Sequence, residues 1–259
     1  MRADRFLHQS GLARSRSHAA SLIRGGVSIS GKRIKKPSEE IPEDTPLTAI
    51  EIENPSRYVS RGGIKLEAAL NCFHPEVADR IALDLGASTG GFTDCLLQNG
   101  ARRVYAVDVG HGQLDPTLAH NPRVVSMEGV NARTLTPDML GETCDLAVSD
   151  LSFISQTLVY HTVLQCVKRG GIFISLIKPQ FEAGKDALSK SGVVRDRNIH
   201  LRVIESLFET ARTVGLCPEA LAPSPIEGGD GNREYLALFR VGETGTTQTI
   251  DVRHVVFDT

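Results

Sequence analysis

Four residues of this chain have the types needed to take up and hold a proton if the fold brings them together: Lys65, Asp150, Lys178 and Glu234. Lys178 ends the apolar run Ile172-Phe-Ile-Ser-Leu-Ile177, and Pro179 then breaks any strand formed by that run. A lysine placed there is expected to be partly desolvated, which makes a neutral amine accessible as a base. Asp150 follows the apolar Leu146-Ala-Val-Ser149 in the same way. Lys65 comes just after Arg61-Gly62-Gly63, and Glu234 follows Gly228-Gly-Asp-Gly-Asn-Arg. Each alone is an ordinary charge at the end of an element. In open α/β sheets ligands lie outside the carboxyl ends of the strands, so all four are expected around one pocket mouth.

A second group has the spacing of a nucleotide pocket. Ile81-Ala-Leu-Asp-Leu85 suits a buried strand, Gly86-Ala-Ser-Thr-Gly90-Gly91 a tight turn, and Phe92-Thr-Asp-Cys-Leu-Leu97 a helix. Glycines let the backbone pass close to a ligand, and the helix start offers free N–H groups. The spacing G-x-x-x-G-G departs from the G-x-G-x-x-G of dinucleotide binders, which disfavours a nicotinamide oxidoreductase. Asp84 is a poor neighbour for pyrophosphate and a good one for an ammonium or sulfonium, as in S-adenosylmethionine. A second strand, Arg103-Val-Tyr-Ala-Val-Asp108, ends in an acid placed to accept hydrogen bonds from ribose hydroxyls. The candidate cofactor contacts are therefore Asp84, Gly86, Ala87, Ser88, Thr89, Gly90, Gly91, Phe92, Asp108, Val109 and Asp150. The plain alternative is an ordinary βα turn.

The elements that must carry these residues alternate. A helix is expected over 62–73, with strands at 81–85, 103–107, 123–126, 145–149, 171–177, 216–222 and 234–240. Helices at 91–99, 155–168 and 198–214 fall between them. This is the rhythm of a sheet covered on both faces, with a late hairpin pair.

Residues 1–60 are expected to form a separate module and linker, ahead of a catalytic domain over 61–259. A short helix begins at Asp4 and closes at Ser10-Gly11. Ser15 caps a second, Arg16 to Arg24, whose apolar face is Ala19, Ala20, Leu22 and Ile23, and Gly25-Gly26 stops it. A small hairpin follows from Val27 to Lys36, and Ile50 and Ile52 suit a closing strand. Net charge is −2, yet residues 1–37 hold nine Lys or Arg against one acid, Asp4. Such a basic module has the electrostatic footprint of a phosphate-backbone partner. Candidate RNA contacts are Arg5, Arg14, Arg16, Arg24, Lys32, Arg33, Lys35, Lys36, Arg57 and Arg61.

No apolar run approaches the roughly 18 residues of a membrane span, and the N-terminus lacks the apolar stretch of a signal peptide. The five cysteines are scattered, odd in number and without C-x-x-C pairs. That argues against a disulfide framework and a metal site, and for a reducing cytoplasm. The eight histidines are isolated, and His111 is read as loop packing near the cofactor.

The phrase SGLARSRSHAASLIRGGVSISGKRIKKPS resembles the S4 RNA-binding domain. The phrases SRGGIKLEAAL, DLGASTGGFTDCLL, VDVGHGQL, SDLSFIS, LIKPQFEAGKD, GVVRD and GNREYLALF resemble the TlyA (hemolysin A) family of bacterial rRNA ribose 2′-O-methyltransferases, whose catalytic half is of the FtsJ/RrmJ type. The resemblance implies a Rossmann-like seven-stranded methyltransferase fold behind a small α+β S4 domain. It implies S-adenosylmethionine as cofactor, no metal, and rRNA within ribosomal subunits as partner. The family's Lys-Asp-Lys-Glu tetrad falls on Lys65, Asp150, Lys178 and Glu234. Lys178 is then the base that receives the ribose 2′-hydroxyl proton during in-line methyl transfer, poised by Asp150. Shorter members are associated with the large-subunit target alone, so a cytidine of large-subunit rRNA is the expected site, with the small subunit as a further target. Two other readings compete: a membrane-active haemolysin, and an RNA-binding protein without catalysis. The intact tetrad argues against the second, and the lack of a long amphipathic basic helix against the first.

Overall fold

The computed structural model describes residues 1–13, 16–53, 57–189, 191–228, 231–242 and 249–258. Near the N-terminus, α1 (Ala3–Gln9) and α2 (Arg16–Gly26) pack on a small sheet. Its central strand β1 (Val27–Ile29) pairs antiparallel with β2 (Lys32–Arg33) and with β3 (Ile50–Ile52). Phe6, Leu7, Ala19, Leu22, Ile23 and Val27 fill its core, so the apolar spacing in α2 does mark the buried face. The helix runs through Gly25 and Gly26, two residues beyond its expected stop. Ser15, the expected cap, lies outside the described residues.

From Gly62 onward a seven-stranded sheet organises the chain. In chain order the elements are α3 (Gly62–Phe73), β4 (Ile81–Leu85), α4 (Gly91–Gln98), β5 (Arg103–Asp108), α5 (Pro116–Ala119), β6 (Val124–Glu128), α6 (Pro137–Leu140) and β7 (Cys144–Ser149). They continue with α7 (Tyr160–Cys166), β8 (Val167–Ile177), α8 (Pro179–Glu182), α9 (Arg197–Val214), β9 (Leu216–Pro223), β10 (Tyr235–Val241) and α10 (Val252–Phe257). The strand order is β6-β5-β4-β7-β8-β10-β9, and β10 alone runs antiparallel to both its neighbours. This is the expected seven-stranded arrangement with its late hairpin. β4 is buried along its whole length, as a central strand covered on both faces must be. One face packs Tyr160, Phe173, Phe208 and Phe239, with the Phe173 and Phe239 rings stacked at 5.6 Å. The other face packs Leu66, Phe92, Leu96, Val104 and Ile174.

The structure corrects the expected elements in four places. The helix expected over 155–168 is a 3-10 turn, Gln156–Val159, followed by α7. Val167 already belongs to β8, where it pairs with Cys144. The strand expected over 123–126 reaches Glu128, level with Asp108. Tyr58 and Val59, expected in a linker, are buried in the core beside β4, and Val59 N–H donates to Asp94 Oδ2 at 2.9 Å. The short helices α5, α6 and α8 were not expected, although each begins with a proline at a first-turn position.

Candidate active site

Asp84 sits on β4 between β5 and β7, so three adjacent strands present Asp84, Asp108 and Asp150 at one sheet edge. Asp84 is wholly buried; Thr93 Oγ1 donates to its Oδ2 at 2.7 Å, and Oδ1 has no partner. Burial, above all, pushes its carboxyl up to about 7, and the charges of Asp150 and Asp108 add to the effect. Gly90 is at φ +92, and a Cβ there would lie 2.4 Å from Leu118 Cδ1. A Cβ on Gly91 would lie 2.2 Å from Ser60 Oγ and 2.9 Å from Gly63 N. The glycines thus let the start of α3 and the loop before α5 close on the turn from opposite sides.

Asp108 ends β5. Its Oδ2 accepts the Ser88 N–H and its Oδ1 the Gly110 N–H, both at 2.8 Å. A carboxylate has about four acceptor positions, so ribose hydroxyls still find room. Val109, next in the chain, is 71% exposed. The His111 ring lies against Gly129, where an added Cβ would approach Cε1 to 2.4 Å. It packs the loop, as expected.

The tetrad forms two ion pairs. Lys178 Nζ lies 2.6 Å from Asp150 Oδ1 and donates to Ser152 Oγ at 2.9 Å. The first contact is one of charge rather than direction, since Asp150 Oδ1 gains no well-aligned hydrogen bond. Lys65 Nζ lies 2.5 Å from Glu234 Oε2, with Lys65 8% and Glu234 2% exposed. An open cleft of about 160 Å³ joins the glycine turn to Asp150 and Lys178. Its walls include Gly86, Ser88, Phe92, Asp150, Lys178 and, unforeseen, Ser152. Lys65 and Glu234 do not line it, against the expectation that all four surround one pocket mouth, and Glu234 precedes β10 instead of beginning it. Gln180 Nε2 reaches Glu234 Oε1 at 3.4 Å.

Sequence reasoning passed over Phe153. It is 86% exposed, at φ +65, and its ring stands 4.9 Å from that of Phe181, which in turn lies 5.7 Å from Lys178 Nζ. A large aromatic held outward in the left-handed region is costly on both counts. The available signal was the aromatic three residues after Asp150.

On the N-terminal unit, Arg5, Arg24, Lys32, Arg33, Lys35 and Lys36 are exposed, as are Arg57 and Arg61 further on. Arg14 lies outside the described residues. Arg16 is engaged in structure: with Arg2 it holds the buried Asp4, each at 3.0 Å, and Arg2 first, then Arg16, keep that carboxyl down at about 2. Arg33 pairs with Glu53 at 3.7 Å, and Arg57 with Glu67. Arg24 feels burial and then the charge of Arg61, both of which lower its affinity for a proton.

The FtsJ-like methyltransferase family model matches residues 58–241, and the S4 domain model residues 1–45. A Mycobacterium tuberculosis protein named 16S/23S rRNA (cytidine-2′-O)-methyltransferase TlyA is 43% identical over 240 residues, 92% of this chain and 89% of that one. The chain belongs to the TlyA family of FtsJ-like methyltransferases. A second TlyA relative, from Campylobacter jejuni and named 23S rRNA (cytidine-2′-O)-methyltransferase, is 33% identical over 92% of this chain and 99% of its own. A solved structure from Streptococcus thermophilus, described provisionally as a hemolysin, superposes with a TM-score of 0.80 at 40% identity, covering 100% of this chain and 94% of that one. The sheet is that of the S-adenosylmethionine-dependent methyltransferases, and the N-terminal unit is an S4 domain. Among the described residues no helix is long and apolar enough to cross a membrane, and no cluster of His, Cys, Asp or Glu could hold a metal ion.

Proposed function

We propose that this TlyA-family chain transfers a methyl group from S-adenosylmethionine to a ribose 2′-oxygen of ribosomal RNA, at a cytidine of the large subunit, within the cytoplasm. The observation that carries this reading is a single cleft walled by the glycine turn and by the ion pair of buried Lys178 with half-buried Asp150. The turn from Gly86 to Gly91, Phe92, Asp108 and Val109 would hold the cofactor, with Asp84, whose Oδ1 has no partner, supplying negative charge once ionised. Bound there, S-adenosylmethionine supplies an electrophilic methyl group whose sulfonium charge disappears on transfer. A 2′-hydroxyl is a weak acid, so its proton passes to Lys178 after that side chain has released its own proton to solvent, and Asp150 and Ser152 hold the amine in place. Lys65 and Glu234, paired with each other, have a positioning role. Most of the acceleration comes from aligning nucleophile and methyl group. Phe153 offers an aromatic face on which the base of an extruded nucleotide can stack.

The test is to incubate the chain with isolated large and small ribosomal subunits and map alkali-resistant riboses. A new 2′-O-methylcytidine in the large subunit is expected, and Phe153→Ala should lower kcat/KM for the particle by about tenfold, near the low end of base stacking. Methylation of a base, or none, would refute the proposal. Modification in both subunits would extend the substrate range.

We assign docking on the particle to residues 1–60, with catalysis in 61–259. Replacing Arg5, Lys32, Lys35 and Lys36 by alanine should weaken particle binding, with each lost phosphate contact reducing the log–log salt slope by about 0.7–0.9. Cofactor affinity should stay as it was. A quadruple variant with unchanged salt dependence would place the RNA elsewhere. Arg16 is left out because removing it would strip a partner from buried Asp4.

A further inference from the structure

One side chain gathers three successive backbone N–H groups of the loop between β5 and α5. Glu128, the last residue of β6, stands level with Asp108 on the neighbouring strand. Its Oε2 accepts the Gly112 N–H at 2.9 Å, and its Oε1 accepts those of Gln113 at 2.9 Å and Leu114 at 3.3 Å. Three converging N–H groups favour the carboxylate and hold Glu128 below the usual carboxylate range; His111 acts in the same sense. On its other side the loop meets the glycine turn. Ser88 Oγ donates to Gln113 Oε1 at 3.3 Å, Asp115 N–H donates to Thr89 O at 3.2 Å, and Leu114 fills the space over Gly90. Asp108 adds a cross-brace through Ser88 and Gly110.

We infer that Glu128 is a positioning residue for the cofactor: by gathering the amides of residues 112–114 it shapes both the glycine turn and the Asp108 loop into their binding form before any ligand arrives. The inference rests on the S-adenosylmethionine reading above. Glu128 points its carboxylate at its own chain, with both oxygens engaged, so its effect on the ligand passes through the loop. Without it the loop must be ordered at the moment of binding, and that entropy is subtracted from affinity. An amide in its place offers one acceptor oxygen and turns an N–H₂ group toward the same donors.

The experiment is a calorimetric titration of the full chain, wild type beside Glu128→Gln, with S-adenosylmethionine and with S-adenosylhomocysteine. Both ligands should bind the variant about tenfold more weakly, because the loop serves the nucleoside they share. In turnover with ribosomal particles the change should fall on KM for the cofactor, with kcat altered less than KM. A folded Glu128→Gln chain with both Kd values within twofold of wild type overturns the inference, as does a loss confined to kcat. If the variant does not fold, amide exchange in the wild type decides. Slow exchange at Gly112, Gln113 and Leu114 without ligand supports the clamp, and rapid exchange at all three overturns it. A wild-type chain that binds neither ligand overturns the cofactor reading itself, whereas normal wild-type binding matched by the variant overturns only the role of Glu128.

Discussion

Lys178→Ala should abolish methyl transfer to RNA while S-adenosylmethionine affinity changes by less than about tenfold, roughly 1.4 kcal/mol. The amine lies on the cleft wall against Asp150 and Ser152, where the proposed reaction would bring the RNA ribose, and its contacts go to neither Asp84 nor Asp108. Loss of the base therefore leaves most of the cofactor site standing, and the loss should fall on kcat. Lys178→Arg should fail almost as badly, because a guanidinium keeps its proton near neutral pH and its planar fork does not fit the place of a compact ammonium. Single-turnover assays on ribosomal subunits, with cofactor binding measured separately, make the comparison. An active Lys178→Arg chain would show that the residue only places charge, and Asp150 or a water molecule would then have to receive the proton. Lys65→Ala and Glu234→Ala are a different case. Each leaves a buried partner uncompensated, so both should lower the melting temperature as well as the rate.

The second large effect is a pH dependence set by Asp84. Its carboxyl is raised by burial to about 7, against 3.8 for an ordinary aspartate. The groups that face it are Thr93 on α4, Asp108 on β5 and Asp150 after β7, and none of them is a cation. The sign follows from linkage. The free folded chain binds a proton that the unfolded chain has already released, so the Asp84 contribution to stability is full below about 4 and is lost as pH rises through about 7. A cationic ligand reverses the preference by stabilising the ionised carboxylate through the turn. S-adenosylmethionine affinity should therefore rise between about pH 6 and 8, with release of up to one proton, whereas S-adenosylhomocysteine, which lacks the sulfonium charge, should show a shallower rise. Asp84→Asn should flatten the Asp84 part of the profile, weaken S-adenosylmethionine binding above pH 7, and raise the melting temperature of the ligand-free chain there. Calorimetry in buffers of different ionisation enthalpy reads the proton directly. Identical pH profiles for wild type and Asp84→Asn would remove Asp84 from cofactor recognition.

Much of this was legible in the residues. The apolar runs that end in Asp84, Asp108, Asp150 and Lys178 are buried strands, since a continuous apolar run with a break after it has few other ways to satisfy its backbone and hide its side chains. The glycine turn was legible because Gly86 and Gly90 take φ values of +84 and +92, which other residues rarely adopt. The α3 helix over 62–73 and the late antiparallel pair could be read from periodicity. What local pattern could not decide was partnership. The four tetrad residues were expected around one pocket mouth, whereas only Lys178 and Asp150 line the cleft, and that Lys178 takes Asp150 and Lys65 takes Glu234 depends on β10 entering the sheet beside β8. Tyr58 and Val59 looked like linker because flanking Asn, Pro and Ser residues dominate the local composition, and only packing against α3 and α4 buries them. Arg16 looked like a free phosphate contact until the fold set Asp4 beside it, 12 residues back in the chain. Glu128 carried no periodic or compositional signal, and Phe153 only its place three residues after Asp150. Phe153 is held outward by the turn after β7, and Glu128 meets residues 112–114 only because β6 lies beside β5. Sequence determined which segments are strand, turn and helix, because burial and backbone conformation are local demands. The tertiary structure decided which charges meet, because an ion pair or a carboxylate clamp is set by distances across elements that no spacing along one chain contains.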